Sequence, residues 1–300
     1  MPLIQLKKDF SCLIRQLGFD NPLKQKINLI LEELAIADPY QRTKFEYSLK
    51  IEDCQLSKEL RFVNYNDSYG FSPDRVDLIE NIILSQIKKK TLFLSNFFCT
   101  IRKFNQYPLR FYFGLKAKSS HDFFWKIYIN YFDLLKEKPR LAIQVINNIL
   151  KKLELKTKIK MKNSGNLVGF TVDSRGRCLE YKIYHHYDYE NKYDLQKLGF
   201  SEKEIKLAHW LGQYNKRGYF SITERFNHNK KTFSKKLDIP IYPWVDNEEN
   251  NLLEQLFYKI GCGKRLPRIQ KTIQKTNSKI TFIAIEKNKL AVYARLSYGQ

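Results

Sequence analysis

Polar and apolar residues alternate along residues 45–52, and this alternation predicts a β-strand. One face of the strand is apolar, and the opposite face carries Glu46, Ser48, Lys50 and Glu52. A second strand-like segment, residues 60–65, follows after a turn-rich gap and adds Arg61, so the two segments predict a hairpin. The polar face of this hairpin must either meet solvent or line a cavity.

Helix-like and hairpin-like segments then alternate along the whole chain. Helical periodicity is found at about 1–40, 73–87, 133–153, 201–211 and 246–261. Each helical region precedes a strand pair, and the five predicted turns lie near positions 56, 119, 175, 228 and 288. The chain therefore consists of five helix-plus-hairpin units, with a repeat of roughly 55 to 60 residues, longer than that of the common solenoids.

Ten antiparallel strands are too many for an open, twisted sheet, so closure into a barrel is the economical arrangement. Several strands carry polar, often cationic residues on one face and bulky apolar residues on the other, as Lys126 and Tyr128 alternate with Trp125 and Ile127. The predicted fold class is α+β: one domain over residues 1–300, a ten-stranded antiparallel β-barrel surrounded by helices. Its interior is expected to be polar and cationic and its apolar face to lie outside under the helices.

The composition narrows the class of protein. The hydrophobic content of 43% is ordinary for a globular chain, and the net charge of +22 favours an anionic partner. No apolar run is long enough to span a bilayer and no signal-peptide pattern is found, so a cytoplasmic location is expected. Five widely spaced cysteines without a C-x-x-C pair predict reduced thiols, with neither a disulfide framework nor a zinc site.

A lumen of this kind would have two kinds of wall. Cations that could hold a diphosphate are Lys50, Arg61, Lys116, Lys126, Lys182 and Arg295. Interleaved rings that could shelter a carbocation, at about 0.5–2 kcal/mol each, are Tyr128, Tyr184 and Tyr293. Ionisation of an allylic diphosphate needs both walls, because the leaving group and the allyl cation develop opposite charges. Glu46 could then take the proton of the attacking nucleophile.

The segment 46–52, with Arg61-Phe62 after it, resembles the first hairpin of the cyanobactin peptide prenyltransferases, members of the ABBA (α-β-β-α) barrel fold. Weaker similarities occur at 167–170, 180–184 and 290–298, so the resemblance covers the chain from about residue 43, and residues 1–40 diverge. It implies that Glu46 is the base and that Lys50 and Arg61 bind diphosphate. Arg61 aligns after a one-residue gap.

The resemblance also implies the reactants. The donor would be dimethylallyl or geranyl diphosphate with Mg²⁺, held mainly through the diphosphate, since the aspartate-rich D-D-x-x-D motif is absent. The acceptor would be a Tyr, Trp, Arg, His, Ser or Thr side chain of a ribosomally made, cyclic or linear peptide. We assign the strand Gly218-Tyr219-Phe220, in the fourth hairpin, to the closed end of the prenyl pocket, with Phe220 as part of the wall that shelters the prenyl cation. A monomer without nucleic-acid or membrane partners is expected.

Simpler interpretations exist for each signal. Glu46 could be a surface carboxylate, and alternate tyrosines often serve sheet packing. The adjacent residues His185 and His186 point to opposite faces of a strand, which argues for a solvated strand end rather than a metal site. Basic hairpins with aromatic residues could instead bind nucleic acid, although no recognition motif supports that function. A lipid-surface module would need a basic amphipathic helix.

Overall fold

The computed structural model describes residues 3–36, 43–66, 72–87, 91–155, 157–160, 165–188, 195–215, 217–227, 232–241, 248–287 and 289–296. Its strands follow the predicted alternation, with apolar side chains on one face and polar side chains on the other. In chain order they are β1 (Thr43–Glu52), β2 (Gln55–Leu56), β3 (Leu60–Asn66), β4 (Arg110–Ala117), β5 (Phe123–Asn130), β6 (Leu167–Asp173), β7 (Cys178–Asp188), β8 (Tyr219–Asn227), β9 (Thr232–Pro240), β10 (Ser278–Glu286) and β11 (Lys289–Leu296).

Ten of these strands form one closed antiparallel barrel. Each strand pairs with its neighbour in sequence, and β11 pairs with β1 to close the sheet. The two-residue strand β2 pairs only with the end of β1. The closed ten-stranded barrel confirms the predicted fold class. The expected turn positions 228 and 288 lie outside the described residues.

The helices of the described residues surround this barrel. They are α1 (Leu3–Gln16), α2 (Asn21–Ile36), α3 (Pro73–Gln86), α4 (Leu92–Arg102), α5 (Phe132–Glu137), α6 (Pro139–Lys152), α7 (Glu202–Gly212), α8 (Glu248–Lys259) and α9 (Leu266–Lys275). Caps expected from the sequence are present: Ser72 accepts a hydrogen bond from the Arg75 N–H, and Ser201 and Glu204 form a capping box.

Three helical features differ from the sequence prediction. The single helix expected at 133–153 is two helices, because Pro139 cannot continue the first one and instead begins the second. Helices α4 and α9 were not predicted. In α4 the residues Leu94, Phe97 and Ile101 are buried at helical spacing, so a signal for this helix was present in the sequence.

The main apolar core lies between the outer face of the barrel and the helices. Phe10 of α1 packs edge-on against Phe45 and Phe62, with ring centroids 5.8 and 5.0 Å apart. On another side Phe97 of α4 meets Phe170 at 5.2 Å. The barrel is therefore apolar outside and polar inside, as the sequence predicts, and the helices keep its outer face from water.

One disulfide corrects the expectation of reduced thiols. Cys54, in the turn after β1, is bonded to Cys262, which follows α8, and the two residues are 208 positions apart in sequence. Within the described residues Cys12, Cys99 and Cys178 are free. The disulfide ties the first hairpin turn of the barrel to the C-terminal helices. Among the described helices, none combines the length and apolarity that a membrane crossing requires.

Candidate active site

The inward-facing residues of the barrel enclose a cavity of about 860 Å³. Its polar wall comes from alternate positions of the ten strands, since side chains in a strand alternate between faces. Of the predicted site residues, ten line the cavity: Glu46, Lys50, Arg61, Lys116, Lys126, Lys182, Arg295, Tyr128, Tyr184 and Tyr293. The remaining one, Phe220, does not.

Cations gather at the end of the lumen where the hairpins turn. Arg61 and Lys116 are register partners on β3 and β4, and both bind the carboxylate of Glu59, the Lys116 Nζ at 3.1 Å. Lys50 lies beside them and pairs with Glu52 at 2.9 Å. Although burial of Glu59 opposes ionisation, the charges of Arg61 and Lys116 prevail and lower its pKa to about 2. This carboxylate is therefore an anion held between cations.

A second charged group lies next to the first along the wall. The carboxylate of Glu180 forms ion pairs with Lys182 Nζ at 3.0 Å and with Arg225 at 2.7 Å, and it accepts a hydrogen bond from the Thr171 hydroxyl at 2.9 Å. Burial lowers the pKa of Lys182 to about 8, even though Glu180 favours its charged form. Arg225 also reaches Glu286 at 3.0 Å. Sequence reasoning placed Lys182 correctly in the lumen and missed Arg225.

Lys126 differs from the other cations of this end. No carboxylate of the described residues lies within ion-pairing distance of its ammonium group. Its side chain lines the cavity, and burial lowers its pKa well below the usual value, with the charges of Lys182 and Arg61 lowering it further. A cation surrounded by cations in a sheltered cavity favours the arrival of an anion.

Glu46 lies toward the opposite end, where the strands lead to the helices. Its Oε2 accepts a hydrogen bond from the Thr281 hydroxyl at 2.6 Å, and Arg295 is its register partner on β11. Burial raises the pKa of Glu46, an effect that the Thr281 hydrogen bond and Arg295 oppose and Asp238 reinforces. A carboxyl group with a raised pKa is a stronger base once ionised. The structure thus places Arg295 with Glu46 rather than with the other five predicted cations.

Aromatic side chains line the middle of the lumen. Tyr128 and Tyr184 meet edge to face with ring centroids 6.5 Å apart, and Tyr293 meets Phe282 at the same distance. Burial raises the pKa values of Tyr128 and Tyr184, so both remain neutral phenols. Their π faces border the space between the cations and Glu46.

The prediction for Phe220 is wrong. Its side chain points to the outer face of β8 and stacks on Tyr187, with ring centroids 5.5 Å apart. The neighbouring Tyr219 faces the lumen instead. A signal was present in the sequence: Ile222 and Phe226 have the same strand parity as Phe220, and apolar residues of this barrel face outward.

His186 is also not at a solvated strand end. It lines the cavity and stacks on Tyr219 at 5.0 Å with the rings 21° apart. Burial lowers the pKa of His186 to about 4, assisted by the adjacent His185, so its imidazole is neutral near pH 7. Burial raises the pKa of Tyr219, and the charge of the nearby Glu46 raises it further. The stacked rings of His186 and Tyr219 therefore form a flat wall near Glu46.

Two further lumen residues were missed. Lys236 and Asp238 on β9 form an ion pair at 2.6 Å, and Lys236 also donates to the Tyr293 hydroxyl at 2.9 Å. Thr223 donates to Asp238 at 2.7 Å. Because Leu237 and Ile239 alternate with this pair, the strand pattern could have revealed both. The pair fixes the hydroxyl of Tyr293 in the middle of the lumen.

The lumen carboxylates do not suit direct metal binding. In the part of the chain that the structure describes, no three His, Cys, Asp or Glu side chains are grouped as a metal site would require. Glu180, Asp238 and Glu286 each bind lysine or arginine instead. A divalent cation would therefore find no protein ligand set among these residues.

The sequence matches no family model and has no significant match among curated proteins. Solved structures do resemble it over nearly the whole chain, at low identity. The 5-dimethylallyltryptophan synthase from Streptomyces coelicolor is 12% identical, with a TM-score of 0.68 covering 98% of this chain and 96% of that one. PriB in complex with product diphosphate is 11% identical, with a TM-score of 0.72 and coverage of 97% and 95%. AnaPT from Neosartorya fischeri is 11% identical, with a TM-score of 0.65 and coverage of 97% and 92%. The chain therefore has the fold of the ABBA prenyltransferases.

Proposed function

We propose that the protein transfers a prenyl group from an allylic diphosphate to a nucleophilic acceptor. The observation that carries this proposal is the order of groups along one lumen: cations at the hairpin-turn end, neutral phenol rings in the middle, and a carboxyl group of raised pKa beyond them. Structures with the same fold support it, since PriB was solved with product diphosphate, and the Streptomyces coelicolor synthase with DMASPP and Trp.

In the proposed reaction the diphosphate lies among Lys126, Lys182, Arg61, Lys116 and Lys50. The bond between carbon 1 of the prenyl group and the diphosphate oxygen breaks, and the electron pair leaves with the diphosphate. The cations stabilise the charge that develops there, and the low dielectric of the lumen strengthens that effect.

The allyl cation lies against Tyr128, Tyr184 and Tyr293, whose π faces stabilise positive charge without acting as nucleophiles while they remain protonated. The acceptor attacks carbon 1 or carbon 3 of the cation from the side of Glu46. Glu46 then takes the proton that the acceptor loses, and the Thr281 hydroxyl holds the carboxylate in place.

The proposed donor is dimethylallyl or geranyl diphosphate, and the proposed acceptor is a side chain of a ribosomally made cyclic peptide. This acceptor rests on the hairpin resemblance around Glu46 and Lys50. Magnesium also remains a prediction: with the lumen carboxylates paired to cations, the ion would bind the diphosphate oxygens, and no step is assigned to it. The monomeric state remains a prediction as well.

A nucleic-acid-binding function remains the alternative, and the orientation of side chains weighs against it. Stacking of bases needs aromatic and cationic groups on an accessible surface, whereas Tyr128, Tyr184 and Lys126 face the enclosed lumen. Tight, salt-sensitive binding of oligonucleotides without affinity for inorganic diphosphate would favour this alternative.

The deciding experiment incubates purified protein with each donor, with and without Mg²⁺, and with a panel of cyclic peptides and free tryptophan. We expect a mass gain of one or two isoprene units on a peptide, and tryptophan tests the acceptor named for the structural neighbours. Glu46→Gln should lower transfer by about 10²–10⁴-fold while donor hydrolysis continues. If no acceptor gains mass with the wild-type protein and neither donor is hydrolysed, the proposal is wrong.

A further inference from the structure

Gly169 lies in the middle of β6 and occupies a lumen-facing position between Leu167 and Thr171. Its register partners are Tyr128 on β5 and Lys182 on β7. It therefore sits where the aromatic wall meets the cation cluster.

The backbone does not require glycine at this position. Gly169 lies in a regular strand, and its φ is outside the left-handed region that other residues avoid. Glycine inside a strand weakens it, and often marks a close approach by another group. A side-chain neighbour must therefore explain why a glycine is here.

That neighbour is the ring of Tyr128. A Cβ added to Gly169 would lie 2.8 Å from both Cδ1 and Cε1 of Tyr128, whereas ordinary contact begins at 3.4 Å. The ring thus lies flat over the space that a side chain would fill. The ring of Tyr184 meets the Tyr128 ring edge to face, with 6.5 Å between the ring centroids.

We infer that Gly169 is a specificity-determining position, which seats the Tyr128 ring against the wall and so sets the width of the lumen beside the diphosphate site. This inference rests on the proposed prenyl-transfer function. Any side chain at 169 would push the ring toward the lumen axis by at least 0.6 Å, the difference between 2.8 and 3.4 Å. The carbon chain of the donor passes this point. A displaced Tyr128 ring would therefore take more space from the second isoprene unit of a geranyl chain than from the first unit.

The test is a cycle of variants: Gly169→Ala, Tyr128→Ala and both together. Affinities are measured by calorimetry for inorganic diphosphate and for the dimethylallyl and geranyl thiolodiphosphates, which need no turnover. We expect Gly169→Ala to leave diphosphate affinity within twofold and to weaken the geranyl analogue at least about tenfold, with a smaller loss for the dimethylallyl analogue. In the Tyr128→Ala background the same substitution should have no further effect.

Gly114→Ala serves as the matched control. It is also a lumen-wall glycine, but an added Cβ would meet the backbone oxygen of Phe62 at 2.7 Å, so removal of the Tyr128 ring cannot relieve that clash. Its loss of thermal stability should be equal in both backgrounds, whereas that of Gly169→Ala should vanish when Tyr128 is alanine. This comparison also applies if Gly169→Ala alone fails to fold.

Equal losses for all three ligands, or a Gly169→Ala effect that persists without the Tyr128 ring, would overturn the inference. If wild-type protein binds none of the diphosphates, the proposed function and the donor part of the inference both fail. The melting temperatures of Gly169→Ala, Tyr128→Ala and the double variant would still decide whether Gly169 makes room for the Tyr128 ring, so the two failures can be told apart.

Discussion

Lys126 gives the sharpest test of the electrostatics of the lumen. Lys182 is a matched neighbour, because both lysines line the same cavity at the hairpin-turn end, but among the described residues only Lys182 of the two has a carboxylate partner, Glu180 at 3.0 Å. Methionine at either position keeps a similar apolar volume and removes the charge. Lys126→Met should therefore raise stability more than Lys182→Met does.

For Lys126→Met the expected gain in unfolding free energy is about 1–3 kcal/mol. Burial of an unpaired charge costs several kcal/mol, and apolar replacement of buried charges stabilises by about 1–4 kcal/mol. For Lys182→Met a smaller change is expected, because the cost of burying its charge, which lowers the pKa of Lys182 to about 8, is partly offset by its ion pair with Glu180, and Glu180 keeps Arg225 when Lys182 is removed. Each kcal/mol should shift the melting temperature by about 2–4 °C in a domain of this size.

Ligand binding should change in the opposite sense to stability. A charge-assisted hydrogen bond contributes about 1.5–3 kcal/mol, so Lys126→Met should raise the Kd of inorganic diphosphate by about 10- to 150-fold. Calorimetry with diphosphate and thermal denaturation of the ligand-free protein measure the two effects separately.

The pH dependence gives a further check with a definite sign. Because burial, Lys182 and Arg61 lower the folded-state pKa of Lys126, with Lys116 adding to this and Glu180 opposing it, the cost of its charge is fully present below that folded pKa. The cost disappears above the unfolded value of about 10.4. As pH rises through this window, the unfolding free energy of wild type should therefore increase relative to that of Lys126→Met. Equal changes in stability for the two substitutions, or a difference between wild type and Lys126→Met that does not change with pH, would refute the reasoning.

Four other predictions follow from the same geometry. Glu46→Gln should lower transfer by about 10²–10⁴-fold. Because burial raises the pKa of Glu46, the wild-type rate should rise with pH, with a midpoint above the ordinary carboxyl pKa of about 4.3. A rate that does not change with pH would exclude Glu46 as the base. Cys54→Ser should cost about 2–5 kcal/mol of stability, seen as a lower melting temperature that dithiothreitol reproduces in wild type, while diphosphate affinity stays constant. EDTA should weaken donor binding without changing the melting temperature of the ligand-free protein; a lower melting temperature would reveal a structural metal. His186→Leu should raise the KM of the acceptor and leave the donor Kd unchanged; equal effects on both would place His186 at the donor instead.

The sequence predicts the barrel because its signals are local. Period-two alternation and turn residues identify each hairpin, and ten strands imply closure, so Glu46, Lys50 and Lys126 could be placed on the inner wall. The prediction for Phe220 was wrong because Tyr219 and Phe220 are both aromatic, so neither residue alone shows which of them faces the lumen. Ile222, a buried apolar residue two positions later on the same strand face as Phe220, would have shown it.

Other features depend on contacts that no local pattern encodes. The bond between Cys54 and Cys262 joins segments 208 positions apart. The ion pair of Glu180 with Arg225 depends on the register of β7 with β8, which puts Lys182 opposite Arg225 and leaves Glu180 two register positions away. The sequence identifies the charged residues of the lumen. Which lysine lies beyond ion-pairing distance of every described carboxylate depends on the assembled barrel.

An inverted barrel must stabilise its inner charges when no ligand is bound. Glu59 does so for Arg61 and Lys116, and Glu180 for Lys182, but Lys126 has no such partner among the described residues. A bound diphosphate would supply the missing negative charge, so binding would offset the folding cost of Lys126. Ligands that bind only the folded state stabilise it by RT ln(1 + [L]/Kd). At equal diphosphate concentration, wild type should therefore gain more in melting temperature than Lys126→Met, although it starts from the lower value.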